Sequence, residues 1–200
     1  MKMYPTIPKK QIDLPIYAFD KIDGSNIRSE WSSKKKFWKF GTRTRLVAED
    51  EKPFGEAIGL VKEKYEKELS DIFKKLRYQK VICFFEFGGP NSEFGIHQDE
   101  KHDVILFDVN PYKKGLTPPR DFLKNYGELH VPNMVYYGNP TDKFSEMVGK
   151  GQLEGVTFEG VVCKGVRSGQ VVMFKIKSDA WLNRLRKYCK GDDELFRRME

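Results

Sequence analysis

Asp20-Lys21-Ile22-Asp23-Gly24 follows an apolar, strand-like run that includes Ile16, Tyr17 and Phe19. A lysine at the mouth of a buried strand is a candidate covalent nucleophile. Burial and cationic neighbours both disfavour the ammonium form and so lower the amine's pKa. The free amine can then attack a carbonyl carbon or a phosphorus. Gly24 lets the backbone turn sharply or come close to a ligand. On its own, a Lys-x-Asp-Gly element fits a strand that ends in a polar turn, with a solvated lysine, equally well.

Five further segments carry candidate chemistry. Gly41-Thr-Arg-Thr-Arg45 ends an aromatic-basic strand, and an arginine there can make paired hydrogen bonds to phosphate oxygens. Arg43 and Arg45 both fit that role, and a surface arginine is the commoner case for either. Glu86 lies in Phe84-Phe-Glu-Phe-Gly-Gly89. A carboxylate among phenylalanines is costly unless it is paired or serves a site. Alternation can instead turn Glu86 to solvent, with Phe85 and Phe87 in the core. Phe107, in Val104-Ile-Leu-Phe-Asp-Val109, can stack on a base, although an isolated phenylalanine reads first as core. Glu159 sets a second carboxylate in an apolar strand, Phe158-Glu-Gly-Val-Val162. Lys175 and Lys177 stand at i, i+2, so in a strand their ammonium groups share a face. They repel unless an anion lies between them, which makes this pair the strongest local argument for a phosphate site. Together these residues suit a nucleoside triphosphate: cations for its phosphates, an aromatic for its base, carboxylates for a metal and the sugar hydroxyls.

The elements that must position them are mixed. Strand-like runs fall at 14–20, 36–42, 80–87, 103–109, 130–137, 156–164 and 169–177, rich in Val, Ile, Phe and Tyr and bounded by Gly, Pro or Asn. Ile58, Val61, Tyr65, Leu69, Ile72 and Leu76 recur at steps of three and four and predict one long amphipathic helix. Pro119 starts a shorter helix over 119–126, and another covers 142–149. Ser178 is an N-cap candidate for a helix over 178–190 carrying Trp181, Leu182, Leu185 and Tyr188. Runs 156–164 and 169–177, separated by a Gly165–Gly169 turn, read as a hairpin. Strands and helices without regular βαβ alternation predict an α+β fold of mostly antiparallel sheets. There is no Rossmann or P-loop glycine pattern.

Composition narrows the class. Two hundred residues, 39% hydrophobic, can bury a real core. A net charge of +7 and a pI near 9.1 suit an anionic partner, nucleic acid or membrane surface. Cys83, Cys163 and Cys189 show no metal spacing and read as reduced thiols of a cytoplasmic protein. No signal-peptide pattern opens the chain, and no run approaches the roughly 18 apolar residues of a membrane span.

In order along residues 16–177, the chain resembles the covalent nucleotidyltransferase superfamily of polynucleotide ligases and mRNA capping enzymes. Lys21-Ile-Asp-Gly24 resembles its nucleophile motif, and Thr42-Arg43-Thr44 the arginine motif that follows. Phe85-Glu86-Phe87, Leu106-Phe107-Asp108, Glu159-Gly160-Val161-Val162 and Lys175-Ile-Lys177 resemble the remaining core motifs. Each is short, but six in order at family-like intervals are specific. Within the superfamily the chain is most similar to the RNA ligase 2, or RNA-editing ligase, type. The resemblance implies an ATP-grasp-like α+β core without an OB-fold domain. It implies one adenylation domain over 1–200, with a short helical tail over about 178–200.

It also implies roles. Lys21 becomes lysyl-AMP, and Asp20 lies by the adenine. Asp23 and Gly24 complete the nucleotide-binding set of the nucleophile motif. Arg43 holds the ribose or a phosphate, with Arg45 as its competitor. Glu86 holds the ribose hydroxyls and Phe107 stacks on adenine. Glu159 helps bind the metal, Mg²⁺ or Mn²⁺. Lys175 and Lys177 contact the α-phosphate, and Lys177 stabilises departing pyrophosphate. AMP then passes to a 5′-phosphate end, RNA rather than DNA, and a 3′-hydroxyl displaces it. Lys34–Lys36 with Trp31, Phe37 and Trp38 read either as part of a phosphodiester track or as a solvated turn beside core aromatics. With about 23 residues after Lys177, the expectation is a minimal ligase, monomeric, with a partner protein available for end recognition. Its economy suggests a viral or phage enzyme of RNA repair, acting in the host cytoplasm. The alternatives are a minimal DNA ligase, a GTP-using capping guanylyltransferase, and a nucleic-acid-binding domain without catalysis.

Overall fold

Alternation along β4 (Lys80–Gly88) organises the first sheet. Val81, Cys83, Phe85 and Phe87 are buried on one face; Ile82, Phe84 and Glu86 point to the other. The computed structural model describes residues 1–90 and 97–200. Among them, the chain packs as two compact units.

The first unit comprises Met1–Thr6, Gly24–Val131 and Ser168–Val171. Its four-stranded antiparallel sheet has the order β3-β2-β4-β5, with β2 Ser25–Ser32, β3 Lys36–Thr42 and β5 Asp103–Pro111. α1 (Gly55–Lys75) packs on it through Ala57, Ile58, Val61, Tyr65, Leu69 and Phe73. Phe73, rather than Ile72 or Leu76, completes the expected stripe, and it meets Trp31 edge-on at 5.0 Å. The Trp31 indole donates to Ser70 Oγ at 2.9 Å, and the Tyr65 hydroxyl donates to the Val104 and His130 carbonyls. α2 (Pro119–Tyr126) starts at its proline as expected.

β2 has no counterpart among the strand-like runs of the sequence. It is polar, Ser-Asn-Ile-Arg-Ser-Glu-Trp-Ser, yet it is an inner strand between β3 and β4. Ile27, Ser29 and Trp31 take the α1 face. Arg28 and Glu30 are buried on the other and are satisfied from far away in sequence. Arg28 donates to the Thr42 and Met1 carbonyls, both at 2.8 Å, and Glu30 pairs with Lys80 at 2.9 Å.

The second unit comprises Ile7–Asp23, Pro132–Arg167 and Val172–Glu200. Its sheet runs β6-β1-β7-β8, with β1 Ile16–Asp20, β6 Met134–Gly138, β7 Gly160–Arg167 and β8 Gln170–Lys177. β1 is antiparallel to both neighbours. Ile16, Ala18, Val161, Cys163 and Phe174 form one core with Phe144 and Val148 of α3 (Asp142–Gly149). The β7–β8 hairpin turns at Ser168 and Gly169, both at positive φ, rather than across 165–169. α4 (Asp179–Cys189) is capped by Ser178, whose Oγ accepts from Trp181 N at 3.1 Å. The charged tail adds α5 (Asp193–Met199), capped by Asp192. All three cysteines are free and buried. Among the described residues, no helix is long and apolar enough to cross a membrane.

β7 begins only at Gly160, so Glu159 lies ahead of the strand and not within it as expected. Gly160 has φ +126°, and a Cβ there would stand 2.1 Å from the Ile176 carbonyl oxygen. Gly160→Ala is therefore expected to lose at least about 2 kcal/mol, read as a lower urea midpoint. An unchanged midpoint would show that the backbone relaxes there.

Candidate active site

Lys21 follows β1 directly, and its main-chain N–H donates to the Gly160 carbonyl at 2.9 Å. The nucleophile candidate is thereby tied to the turn that presents Glu159. The Lys21 ammonium donates to Glu159 Oε2 at 2.6 Å, and the Lys177 ammonium pairs with Oε1 at 2.9 Å. One carboxylate, 4% exposed as a residue, thus bridges two cations. The Lys21 side chain keeps 22% exposure and the Lys177 side chain 8%.

Glu159 is held from both sides. Its carbonyl accepts from Ser178 N at 3.0 Å, and Ser178 Oγ donates to the Phe158 carbonyl at 2.6 Å. The residue that caps α4 therefore also fixes the loop carrying the carboxylate. On the other side Asp20 Oδ1 accepts from the main-chain N–H and the hydroxyl of Thr157, at 3.0 and 3.2 Å. Burial raises the Asp20 pKa against those hydrogen bonds. Its Oδ2 is buried with no hydrogen-bond partner among the described residues.

Lys175 and Lys177 share a face of β8, since Phe174 and Ile176 turn to the core. Their surroundings differ. Burial lowers the Lys177 pKa to about 8 against the pull of Glu159, and its ammonium lies 3.0 Å from the centroid of the Trp181 ring. Lys175 is also lowered, by burial first and by Lys21 second; its ammonium donates to the Glu200 main-chain oxygen at 2.6 Å. Lys164, which sequence reading passed over, belongs to the same sheet. The Tyr17–Lys164 and Phe19–Val162 register puts it on the face of Tyr17 and Phe19. It is 4% exposed, with its ammonium 5.1 Å from the Phe19 ring centroid. The signal available was its place two residues after Val162 in an alternating strand.

The second unit thus brings together Lys21, Glu159 and Lys177, with Asp20, Lys175 and buried Asp23 on the same elements. The first unit carries the other candidates. Gly24 presses on β4: a Cβ there would lie 2.6 Å from the Phe87 carbonyl oxygen and 3.2 Å from Glu86 Cγ. Its lack of a side chain serves close approach to a strand. Glu86 is half-buried on the face opposite Phe85 and Phe87, as alternation allows. Phe107 is half-buried at a β-bulge: Phe84 pairs with Asp108 and Phe85 with Leu106, so the register steps over residue 107. Its ring packs edge-on against Tyr4 at 5.0 Å, and Tyr4 donates to Asp108 at 2.5 Å. Arg43 is exposed and donates to the Thr6 hydroxyl at 2.8 Å, whereas Arg45 is ion-paired with Glu51. Trp31 and Phe37 are core residues, but Trp38 is exposed.

Among the described residues no group of three or more His, Cys, Asp or Glu side chains could cage a metal. A lone carboxylate fits a hard divalent ion that takes its remaining ligands from phosphates and water, as Mg²⁺ does.

No protein-family model matches the chain, and no curated protein matches it in sequence. Solved structures do match. An apo point mutant of Naegleria gruberi RNA ligase aligns with TM-score 0.64 at 15% identity, over 92% of this chain and 59% of that one. A point mutant of the same ligase with ATP and manganese gives 0.61 at 15% identity, over 90% and 59%. The ligase with pyrophosphate gives 0.63 at 17% identity, over 86% and 52%. The chain spans less than two-thirds of the length of those it matches. With two antiparallel sheets and five helices among its described residues, the chain has the α+β fold of an RNA ligase catalytic core.

Proposed function

We propose that the chain is an ATP-dependent RNA ligase that works through lysyl-AMP. The carboxylate-bridged pair Lys21–Glu159–Lys177 carries this reading. In it, Lys21 Nζ gives up a proton to solvent and attacks the α-phosphorus. A P–N bond forms, the bond to the β-phosphate oxygen breaks, and pyrophosphate leaves with that electron pair. Lys177, and Lys175 beside it, neutralise charge that grows on the phosphates. Glu159 would help hold a Mg²⁺ or Mn²⁺ ion, which would supply further charge neutralisation. The AMP then passes to an RNA 5′-phosphate, and a 3′-hydroxyl displaces it.

The remaining roles rest on the motif resemblance. Phe107 stacks on adenine, Glu86 takes the ribose hydroxyls, and Asp20, Asp23 and Gly24 shape the nucleotide's surroundings. Arg43 is preferred to Arg45 for the phosphate or ribose, because its partner is a neutral hydroxyl while Arg45 is already neutralised.

Purified protein incubated with Mg²⁺ and α-labelled ATP, then run on a denaturing gel, is expected to carry an acid-labile label. Lys21→Ala is expected to carry none while keeping its circular dichroism. The variant leaves Glu159 its pair with Lys177, so it avoids the loss of about 3–5 kcal/mol that follows an orphaned buried charge. Label on Lys21→Ala would move the nucleophile elsewhere. Label from GTP alone would make the enzyme a guanylyltransferase, and no label from either would end the catalytic reading.

The pH profile tests Lys177. Its ammonium is present below about pH 8 and is lost above it. The kcat/KM of adenylylation is thus expected to fall on an alkaline limb centred near 8. An arginine stays charged, so Lys177→Arg should remove that limb even if the plateau drops; an unmoved limb would assign it to another group. Stability follows the opposite sign. Between about 8 and the ordinary lysine value of 10.5 the native state binds fewer protons than the unfolded one, so this group's contribution to stability rises with pH there.

Phe107→Leu is expected to raise the KM for ATP about 10-fold and to shift the melting temperature by only a few degrees. A large melting shift with normal KM would return Phe107 to a packing role.

A further inference from the structure

At the end of the first unit's sheet away from Gly24 and Glu86, basic and aromatic side chains converge from all four strands. Ser32 pairs with Lys36 and with Lys80, and Val81 pairs with Pro111. Ser33 N–H donates to the Gln79 carbonyl, and Tyr112 N–H to the Lys80 carbonyl. Segments 32–39, 78–81 and 110–115 therefore meet, and they hold seven lysines and no carboxylate. β2 is eight residues long, so this end lies about 23 Å along the sheet from its start.

Two of the aromatics are open to solvent. Trp38 is 43% exposed, with the Lys35 and Lys39 ammonium groups 4.6 and 5.7 Å from its ring centroid. Tyr112 is 61% exposed, with Lys80 at 5.6 Å and Lys113 at 5.5 Å. Tyr112 also borders a cavity of about 390 Å³, shared with Lys2, Glu30, Lys80, Asn110 and Lys113, large enough for a nucleotide-sized group. Glu30 there is buried and already paired with Lys80, so the rim presents cations.

We infer that this sheet end binds a single-stranded polynucleotide, phosphates on the lysines and bases on Trp38 and Tyr112. Exposed rings among cations are the platform that unpaired bases stack on. A duplex hides its base faces, and an acidic peptide has no need of the two rings. The inference is separate from the assignment of Lys21 as nucleophile, and it places a grip on the strand outside the nucleotide-transfer residues.

The test uses the full chain without ATP and a fluorescein-labelled single-stranded RNA of about 20 nucleotides lacking a 5′-phosphate, followed by anisotropy at about 50 and about 200 mM salt. Trp38→Ala and Tyr112→Ala are each expected to weaken binding about 5- to 10-fold at either salt. The double variant Lys35→Gln/Lys113→Gln, whose changes are on exposed side chains, is expected to flatten the log K against log salt slope by about 1.4. Unchanged affinity in both aromatic variants would overturn the inference. So would equal competition by inorganic polyphosphate or by a poly-glutamate peptide, which would show a charge-only surface. Label transfer from ATP should be unchanged in all these variants. Loss of labelling in the unaltered protein with RNA binding intact would sink the ligase reading alone, and normal labelling with insensitive RNA binding would sink this surface alone.

Discussion

A single buried carboxylate, shared between two lysines, sets the terms for the second unit. Glu159 is 4% exposed, and an isolated buried charge costs several kcal/mol. Lys21 and Lys177 satisfy it, one oxygen each. The arrangement leaves an excess of positive charge. Two ammonium groups gathered on one carboxylate repel each other. Lys175 on the same face adds to this, and the lowered pKa values of Lys175 and Lys177 are its signature beside burial. A polyanion would relieve that repulsion. The price is local, and Gly160, Ser178 and Thr157 exist around Glu159 and Asp20 to hold the geometry against it.

The first unit solves a different problem with one sheet. Its α1 face is a conventional apolar core. The opposite face buries Arg28, Glu30 and Asp108, each with at least one hydrogen bond or ion pair from a distant segment. Such a face contributes little net stability from its polar pairs, but it supplies a dry, directional surface on which Glu86 and Phe107 stand.

What could be read in the sequence followed from period and punctuation. α2, α3 and α4 lie where Pro119, the 142–149 run and Ser178 put them, because caps and proline act within a turn. The strands rich in Val, Ile and Phe were equally legible. β2 was not, since polar residues signal a strand only when their partners are known, and those of Arg28 and Glu30 lie as far off as Met1 and Lys80. α5 falls within the expected helical tail over about 178–200, although no residue of it is buried. Among the site candidates, Lys21, Glu159 and Lys177 meet in the folded second unit. Lys164 was passed over because an alternating apolar strand hides which lysine turns inward until the register with β1 is known.

The bulge at Phe107 has a consequence for how that residue is to be regarded. Remove position 107, and Asp108 would follow Leu106 in step with Phe84 following Phe85, so the β4–β5 ladder would run unbroken. The ladder is complete without this residue. Phe107 is surplus to the sheet's own accounts of hydrogen bonding, an insertion in mid-strand that costs regularity and twists the edge. Its ring is thereby exempt from the alternation that dictates every neighbour's direction, and its aim can be set by what it touches rather than by which strand it belongs to.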